Sequence, residues 1–286
     1  MIGGAPGHTA AVITLGIDLA AQAKKTAVCR LSWEADGSVA IRSLDGGWSD
    51  ERLLEIARDV DAIGIDAPFG FPQLIRRAIS EYAESGRFPA RPDEASVEDW
   101  SRRLRFRETD RFVNAHLLEH HELKLWPLSV SSDRIAVAAW RCAHQLTQLS
   151  LETGRPLDRV GTGPDVPNPR TVEVYPAAAL ACWGLPYKGY KPGAAGSPRS
   201  AGAQAKRALI VDGLCARLGS ALELGSGDRA DLVGDDDLLD AFVAALVTRA
   251  TAKRATVEPR ADQRAAAEEE GWIHLPSGPL SELVGG

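Results

Sequence analysis

The sequence predicts an α/β fold built on a mixed β-sheet, and this expectation comes from the order of its apolar runs. Four strand-like runs occupy residues 12–19, 25–33, 38–44 and 62–66. Asp36-Gly37 lies between the second and third runs and favours an antiparallel hairpin there. A helix capped by Ser49 or Asp50 separates the third run from the fourth. Three strands, a helix and a fourth strand are typical of an α/β domain with a mixed sheet.

The rest of the chain continues this pattern of helices and strands. Helices are predicted near residues 73–85, 132–152, 202–218 and 236–252, and a further strand over residues 171–175. Apart from the first of these helices, residues 67–130 are predicted to be irregular. Pro176 ends the further strand and can open a helix. We expect a disordered N-terminus at residues 1–11, a single domain over 12–277 with an inserted segment at about 85–126, and a tail at 278–286.

Composition narrows the class of protein. Of the 286 residues, 44% are hydrophobic and 25% are charged, as in ordinary globular proteins. The net charge of −6 argues against a uniformly basic surface for nucleic acid. Four cysteines are far apart and form no C-x-x-C pair, which favours a reducing interior. The sequence has no secretory signal and no apolar run long enough to span a membrane, so we expect a cytoplasmic protein.

Two copies of the tripeptide Gly-Ile-Asp carry the main functional signal. They place Asp18 at the end of the first apolar run and Asp66 at the end of the fourth. Side chains alternate in a strand, so each aspartate shares a face with the glycine two residues before it, Gly16 or Gly64. A carboxylate at the end of so apolar a run is costly unless it is paired, hydrogen-bonded or bound to a metal. Two such carboxylates suggest a shared cation site.

A third acidic segment opens the last predicted helix. Asp240 lies three and four residues after Asp237 and Asp236, so it can present a carboxylate pair with either of them on one helical face. Acids from three segments of the chain suit Mg²⁺ or Mn²⁺, which take a few carboxylates together with phosphate oxygens. The sequence therefore predicts a divalent cation site that joins Asp18, Asp66 and Asp240.

Each of these acids also has a purely structural explanation. Asp66 can cap a following helix, and Asp18 can accept a hydrogen bond from the turn that follows it. Asp235 and Asp236 are suited to the N-cap, where the helix dipole favours negative charge. Asp240 lies past the capping positions on an otherwise apolar helix, so a structural role explains it least well.

Basic residues supply candidate contacts to a phosphate backbone. Lys188 and Lys191 lie in a long stretch without acidic residues. Three aromatic residues are interleaved with them and could stack on bases: Tyr187, Tyr190 and Trp183. We therefore predict Lys188 and Lys191 as substrate contacts, with nucleic acid as the expected partner.

Two further residues have alternative assignments. Arg107, in an arginine-rich segment, either contacts substrate or forms a structural ion pair with Asp110. Glu173, in the strand that Pro176 ends, either lines the acidic site or accepts a hydrogen bond from a neighbouring backbone amide. The position of each side chain in the fold decides between these assignments.

Five segments, in this order, resemble a known family. They are GIDLA, IGIDAPFGFP, EVYPA, DDDLLDAFVAA and EGWIHLP, and they run from about residue 12 to 277. Together they resemble the domain-of-unknown-function family 429, a family of predicted nucleases grouped with ribonuclease H-like folds. The pattern of Asp237, Asp240 and Ala241 is also similar to the C-terminal metal-binding helix of RuvC-type Holliday-junction resolvases. The resemblance implies a ribonuclease H-like mixed sheet, with three antiparallel strands followed by parallel strands, flanked by helices.

The resemblance also implies roles for the acidic residues. Asp18 would be the first-strand metal ligand, and Asp66 would take the fourth-strand position, where RuvC-type enzymes usually carry glutamate. Asp237 and Asp240 would be the helix ligands, and Asp236 and Glu173 would support the site from nearby. The catalytic residues would then be Asp18, Asp66 and Asp240, and the enzyme would be a Mg²⁺- or Mn²⁺-dependent nuclease, which hydrolyses phosphodiester bonds.

Three other functions fit parts of the sequence. A non-catalytic binding or regulatory module would keep the same fold without any use of the acids. An actin-like ATPase also uses a first-strand aspartate, but Leu19 and Ala20 follow Asp18 where its phosphate loop needs glycine, and no G-x-x-x-x-G-K-[ST] motif occurs. A zinc peptidase is suggested by His116-Leu117-Leu118-Glu119-His120, an H-x-x-E-H match without a third ligand at a recognisable spacing.

Overall fold

The protein is built around a mixed β-sheet, seen in a computed structural model that describes residues 11–162, 169–192 and 198–285. Within these residues the strands are β1 (Val12–Asp18), β2 (Ala27–Trp33), β3 (Val39–Gly46), β4 (Ala62–Asp66) and β5 (Arg170–Glu173), in the order β3-β2-β1-β4-β5. β1, β2 and β3 are antiparallel, whereas β4 runs parallel to β1 and β5 parallel to β4. The predicted α/β mixed sheet is therefore confirmed. The predicted disorder at the N-terminus falls outside the described residues, apart from residue 11.

Helices flank both faces of this sheet. They are α1 (Asp50–Ala57), α2 (Gln73–Ser85), α3 (Val97–Arg105), α4 (Glu108–His121), α5 (Ala136–Thr153), α6 (Pro176–Cys182), α7 (Pro198–Leu218), α8 (Ser226–Gly234), α9 (Asp236–Ala252) and α10 (Arg264–Glu270). α9 packs across β1, β2 and β4 on one face, and α1 and α5 cover apolar side chains of β1 and β4 on the other. None of the helices described has both the length and the apolar character that a membrane span requires.

Glycines in the sheet allow α9 to approach it closely. A Cβ atom on Gly16 of β1 would lie 2.0 Å from the carbonyl oxygen of Ala241 and 2.3 Å from the amide nitrogen of Ala245. A Cβ atom on Gly64 of β4 would lie 2.0 Å from Thr248 Oγ1. Neither position has room for a side chain, because protein interiors are close-packed. The glycine of each Gly-Ile-Asp motif therefore sets the distance between α9 and the sheet.

The prediction of an irregular stretch up to residue 130 is wrong, because α3 and α4 lie within it. α3 has no buried residue: Val97, Trp100 and Leu104 are spaced as on one helical face, but they are its only apolar residues and stand among charged ones, which hides the pattern. A cap begins it instead, since the Ser96 hydroxyl accepts a hydrogen bond from the Asp99 amide at 3.0 Å. α8 and α10 are likewise not predicted, and each buries only one or two residues. The helix expected near 132–152 begins later, at Ala136, and the strand expected over 171–175 ends earlier, at Glu173.

The C-terminal segment packs against α4 and α9. Trp272 stacks on Phe112 of α4, with ring centroids 4.5 Å apart. Leu280 and Leu283 lie in the segment predicted as a tail, and both are buried. Arg249 of α9 donates a hydrogen bond to the Leu283 carbonyl oxygen at 3.2 Å. The end of the described chain thus contributes to the core.

His274 is a fully buried histidine in this C-terminal segment. Its Nε2 lies 2.7 Å from the Val160 carbonyl oxygen, and its Nδ1 lies 3.1 Å from Thr256 Oγ1. A carbonyl oxygen only accepts, so Nε2 donates to it and Nδ1 accepts from the threonine hydroxyl, which defines a neutral ring. Burial accordingly lowers the pKa of His274 to about 4.

We expect this histidine to lower the stability of the protein in mild acid. The unfolded chain takes up a proton near the usual pKa of about 6.5, whereas folded His274 stays neutral down to a pKa of about 4. The free energy of unfolding should therefore fall as the pH falls between these values, by about 3 kcal/mol at most. Urea unfolding at several pH values measures this loss. His274→Gln should lose less stability than wild type over that range, and the exposed His144→Gln should behave as wild type; an equal loss in all three proteins would contradict the prediction.

Candidate functional site

The two Gly-Ile-Asp motifs bring their aspartates together at the ends of two neighbouring strands. The parallel register of β1 and β4 pairs Gly16 with Gly64 and Asp18 with Asp66. Paired residues of a parallel ladder lie side by side, so both carboxyl groups reach the same edge of the sheet. Alternation along the strands places them on the face that α9 covers. Both aspartates are half-buried there.

Asp240 of α9 joins this pair from the helix. It precedes Ala241, whose carbonyl oxygen packs on Gly16, and its side chain is fully buried. Asp240 Oδ1 accepts a hydrogen bond from the Tyr190 hydroxyl at 2.8 Å. Oδ2 forms an ion pair with Lys191 Nζ at 2.5 Å. Among the described residues, this oxygen has no partner that meets the geometry of a hydrogen bond. β1, β4 and α9 thus bring together the three acids that the sequence predicts as a cluster. We call Asp18, Asp66 and Asp240 the acidic site.

Burial and neighbouring charges raise the pKa of Asp18 and Asp66. Burial raises the pKa of Asp66 to about 7; Lys191 opposes this rise and Asp240 adds to it. Burial, and then the charges of Asp240 and Asp66, raise the pKa of Asp18 well above its usual range. Like charges held this close are unfavourable unless a positive charge lies among them. A bound cation would remove that cost.

The start of α9 adds further aspartates to the same region. Asp235 is the N-cap, and its Oδ1 accepts hydrogen bonds from the amides of Asp237 at 2.8 Å and Leu238 at 3.3 Å. Burial, and then the charge of Asp235, raise the pKa of Asp237, and the charge of Lys191 opposes that rise. Burial and the adjacent Asp237 raise the pKa of Asp236. The capping role considered for Asp235 and Asp236 therefore falls to Asp235.

Arg141 supports the loop that follows Asp18. From α5 it donates hydrogen bonds to the carbonyl oxygens of Ala20 at 2.9 Å and Trp48 at 3.1 Å. It also forms a 2.6 Å ion pair with Asp50 at the start of α1. No local sequence pattern marks Arg141, because its role depends on how α5 packs.

Arg107 and Glu173 support the loop that follows Asp66. The Arg107 side chain is 1% exposed, and its guanidinium lies 2.8 Å from Asp110 Oδ1 and 2.7 Å from Glu173 Oε1. Glu173 Oε2 accepts a hydrogen bond at 3.0 Å from the amide of Phe69, and Phe69 lies three residues after Asp66. The candidate role of Arg107 in substrate binding does not fit this buried position, which matches the structural ion pair instead. Glu173 takes the backbone-amide alternative.

The two lysines predicted as phosphate contacts lie in different surroundings. Lys191 extends into the acidic site, and 51% of its side chain is exposed. Lys188 is exposed, with Nζ 5.0 Å from the centre of the Tyr187 ring. Tyr190 and Trp183 are buried, so base stacking does not fit either ring. Tyr190 belongs to the acidic site through its hydroxyl, a role that the sequence pattern did not indicate.

Comparison with known proteins identifies the family. A family model described as "Protein of unknown function (DUF429)" matches residues 16–264. The chain belongs to this family. The predicted family membership is therefore confirmed, and the matched part of the DUF429 chain includes Asp18, Asp66 and Asp240. No curated protein and no solved structure matches it.

The donor set of the DUF429 protein suits a hard divalent cation. Every candidate ligand is a carboxylate, the oxygen donor that Mg²⁺ and Mn²⁺ prefer. Several carboxyl groups surround one ammonium, so the acidic groups of the site outnumber its positive charges. In the described parts of the chain, the three acids whose oxygens all lie within 4.8 Å of one another are Asp235, Asp236 and Asp237. Joint coordination by Asp18, Asp66 and Asp240 therefore requires their side chains to move.

The H-x-x-E-H motif of the DUF429 protein lies elsewhere, on α4. His116 and His120 line a cavity of about 680 Å³, and their ring centroids are 4.4 Å apart. Cys182 of α6 lines the same cavity, whereas Glu119 is exposed, 3.9 Å from His120. As far as the chain is described, none of these residues belongs to a group of three ligand atoms within 4.8 Å. The placement of the motif gives no support to a zinc peptidase.

Proposed function

We propose that this protein is a Mg²⁺- or Mn²⁺-dependent nuclease with a ribonuclease H-like fold. The observation that carries the proposal is the pairing of Asp18 with Asp66 at the ends of β1 and β4, beside the buried Asp240 of α9. The mixed sheet, with three antiparallel strands before two parallel ones, agrees with the arrangement that the resemblance implies. Because a fold does not determine an activity, the proposal depends on the acids.

The site residues would divide the work between metal binding and substrate binding. Asp18, Asp66 and Asp240 would hold the cation, with help from Asp237. When bound, the cation supplies Lewis acidity toward a phosphate oxygen and a water of lowered pKa. The tight packing of α9 on the sheet fixes the main chain at Asp240, so that only side chains have to move for a cation to be held. The exposed Lys188 would contact a phosphate of the nucleic-acid backbone.

We expect Mn²⁺ to raise the melting temperature of wild type but not that of the Asp18→Asn/Asp240→Asn double variant. A ligand that binds only the folded state stabilises it by about 2.7 kcal/mol at a hundred times its Kd, which corresponds to a shift of several degrees. Differential scanning fluorimetry with Mg²⁺, Mn²⁺ and Zn²⁺ measures the shift. Asp212→Asn is the matched control, because Asp212 is exposed and pairs with Arg229 away from the site.

The outcomes of this experiment separate the candidate functions. An equal shift in the double variant would place the bound ion elsewhere, for example on Asp235 and its neighbours, and would contradict the proposed site. If only wild type and Asp212→Asn show the shift, the next measurement is the hydrolysis of labelled DNA, RNA and branched junctions. In these assays Asp18→Asn should lose about a hundredfold or more of the activity. No shift in wild type with any of the three metals would favour the non-catalytic binding module, which makes no use of the acids. Site-dependent metal binding without hydrolysis would keep the metal site but overturn the nuclease activity.

A further inference from the structure

Lys191 places a positive charge inside the acidic site. Its Nζ lies 2.5 Å from Asp240 Oδ2, and its charge also acts on Asp66 and Asp18. The hydroxyl of the preceding residue, Tyr190, holds Asp240 Oδ1 at 2.8 Å. Consecutive residues of one segment therefore engage both oxygens of the central carboxylate.

The main chain of this segment is anchored to the region where α9 begins. Arg207 of α7 donates hydrogen bonds to the carbonyl oxygen of Tyr190 at 2.6 Å and to those of Val233 and Gly234 at 2.8 Å and 3.1 Å. Gly234 ends α8 directly before the Asp235 cap. The contact between Tyr190 and Asp240 is thus supported from both sides by a single buried guanidinium.

The side chain of Lys191 can change conformation, whereas Arg207 holds the main chain beside it. About half of it is exposed, and a four-carbon flexible stem carries the ammonium. The ammonium can therefore leave Asp240 toward solvent while the anchored main chain stays in place. A divalent cation on the same oxygen would repel an ammonium at this distance strongly, so the two ions exclude each other at Asp240.

We propose that Lys191 is the resident counter-ion of the acidic site, and that a divalent cation displaces it from Asp240 in order to bind. The inference rests on the metal-dependent function proposed for the same site. It explains why a lysine extends into a carboxylate cluster, and why Asp18, Asp66 and Asp240 are not gathered into a coordination shell while the ammonium holds Asp240. Lys191 then keeps the cluster folded without metal and sets the threshold of metal concentration at which the site fills.

Titration with Mn²⁺ by isothermal calorimetry tests this displacement. Lys191→Met removes the competing charge, so it should bind Mn²⁺ about tenfold or more tightly than wild type. Without metal it should melt at a lower temperature than wild type, because the carboxylates lose their counter-ion. Lys191→Gln repeats the test with a polar neutral side chain. Lys206→Met is the matched control: its exposed ammonium binds the Lys188 carbonyl oxygen at 3.1 Å, not a carboxylate, and it should match wild type in both measurements.

The results distinguish this inference from the proposed nuclease function. If Lys191→Met and Lys191→Gln bind Mn²⁺ no more tightly than wild type, the displacement model is overturned, whatever the nuclease assays show. That outcome would be expected of a lysine that only contacts phosphate. If the two variants bind Mn²⁺ more tightly but wild type hydrolyses neither DNA nor RNA, Lys191 is supported as the displaced counter-ion and the nuclease function is overturned.

Discussion

Gly16→Ala is expected to destabilise the protein by about 3 kcal/mol or more and to disrupt the acidic site with it. The added methyl group would lie 2.0 Å from the Ala241 carbonyl oxygen and 2.3 Å from the Ala245 amide nitrogen. Both are main-chain atoms, so no side-chain rotation relieves the contact and α9 has to move away from β1. Asp240 moves with it, because it is the neighbour of Ala241. Urea unfolding and the Mn²⁺-dependent melting shift should both report the loss.

Gly227→Ala is the matched control for this prediction. Gly227 lies in α8, and a Cβ atom there would have no neighbour within 4 Å. Alanine favours a helix over glycine by up to about 1 kcal/mol, so this variant should equal or slightly exceed wild type in stability and keep the same Mn²⁺ shift. Stability of Gly16→Ala at the level of Gly227→Ala would show that α9 does not need the close approach to β1.

Arg107→Met should cost about 3–5 kcal/mol of stability, because it leaves the buried carboxylates of Asp110 and Glu173 without their counter-ion. Burial raises the pKa of Glu173, and Arg107 opposes that rise. In the variant the Glu173 carboxyl should therefore hold its proton to a higher pH. A carboxyl group whose folded pKa exceeds its unfolded pKa adds stability as the pH falls, so the deficit should shrink in mild acid. Urea unfolding at neutral and mildly acidic pH measures both effects.

Two further variants make this prediction specific to the buried network. Arg102→Met removes an arginine that pairs with Glu98 and Asp99 at the surface, and it should cost less than about 1 kcal/mol at either pH. Adding Glu173→Gln to Arg107→Met should restore part of the lost stability, since a neutral amide needs no counter-ion. A cost for Arg107→Met no greater than that for Arg102→Met would mean that this network does not stabilise the loop after Asp66.

Local sequence pattern accounts for much of the sheet and for the positions of its acids. Alternation in the Gly-Ile-Asp runs predicts two strands that end in aspartates on the same face as their glycines, and β1 and β4 have this form. The capping aspartates and the apolar run after them predict α9, and Pro176 marks the start of α6. α3 is missed by this kind of prediction because its apolar positions, Val97, Trp100 and Leu104, are few and lie among charged residues.

Sequence pattern is enough to place aspartates at the ends of β1 and β4 and to leave the glycine before each of them without a side chain. Which charges those aspartates meet depends on the tertiary structure. The ion pair between Asp240 and Lys191 and that between Arg107 and Glu173 join residues far apart in the chain, and no periodicity within one element encodes such distances. The same is true of the register that sets Asp18 beside Asp66, because strand pairing depends on how the whole sheet assembles.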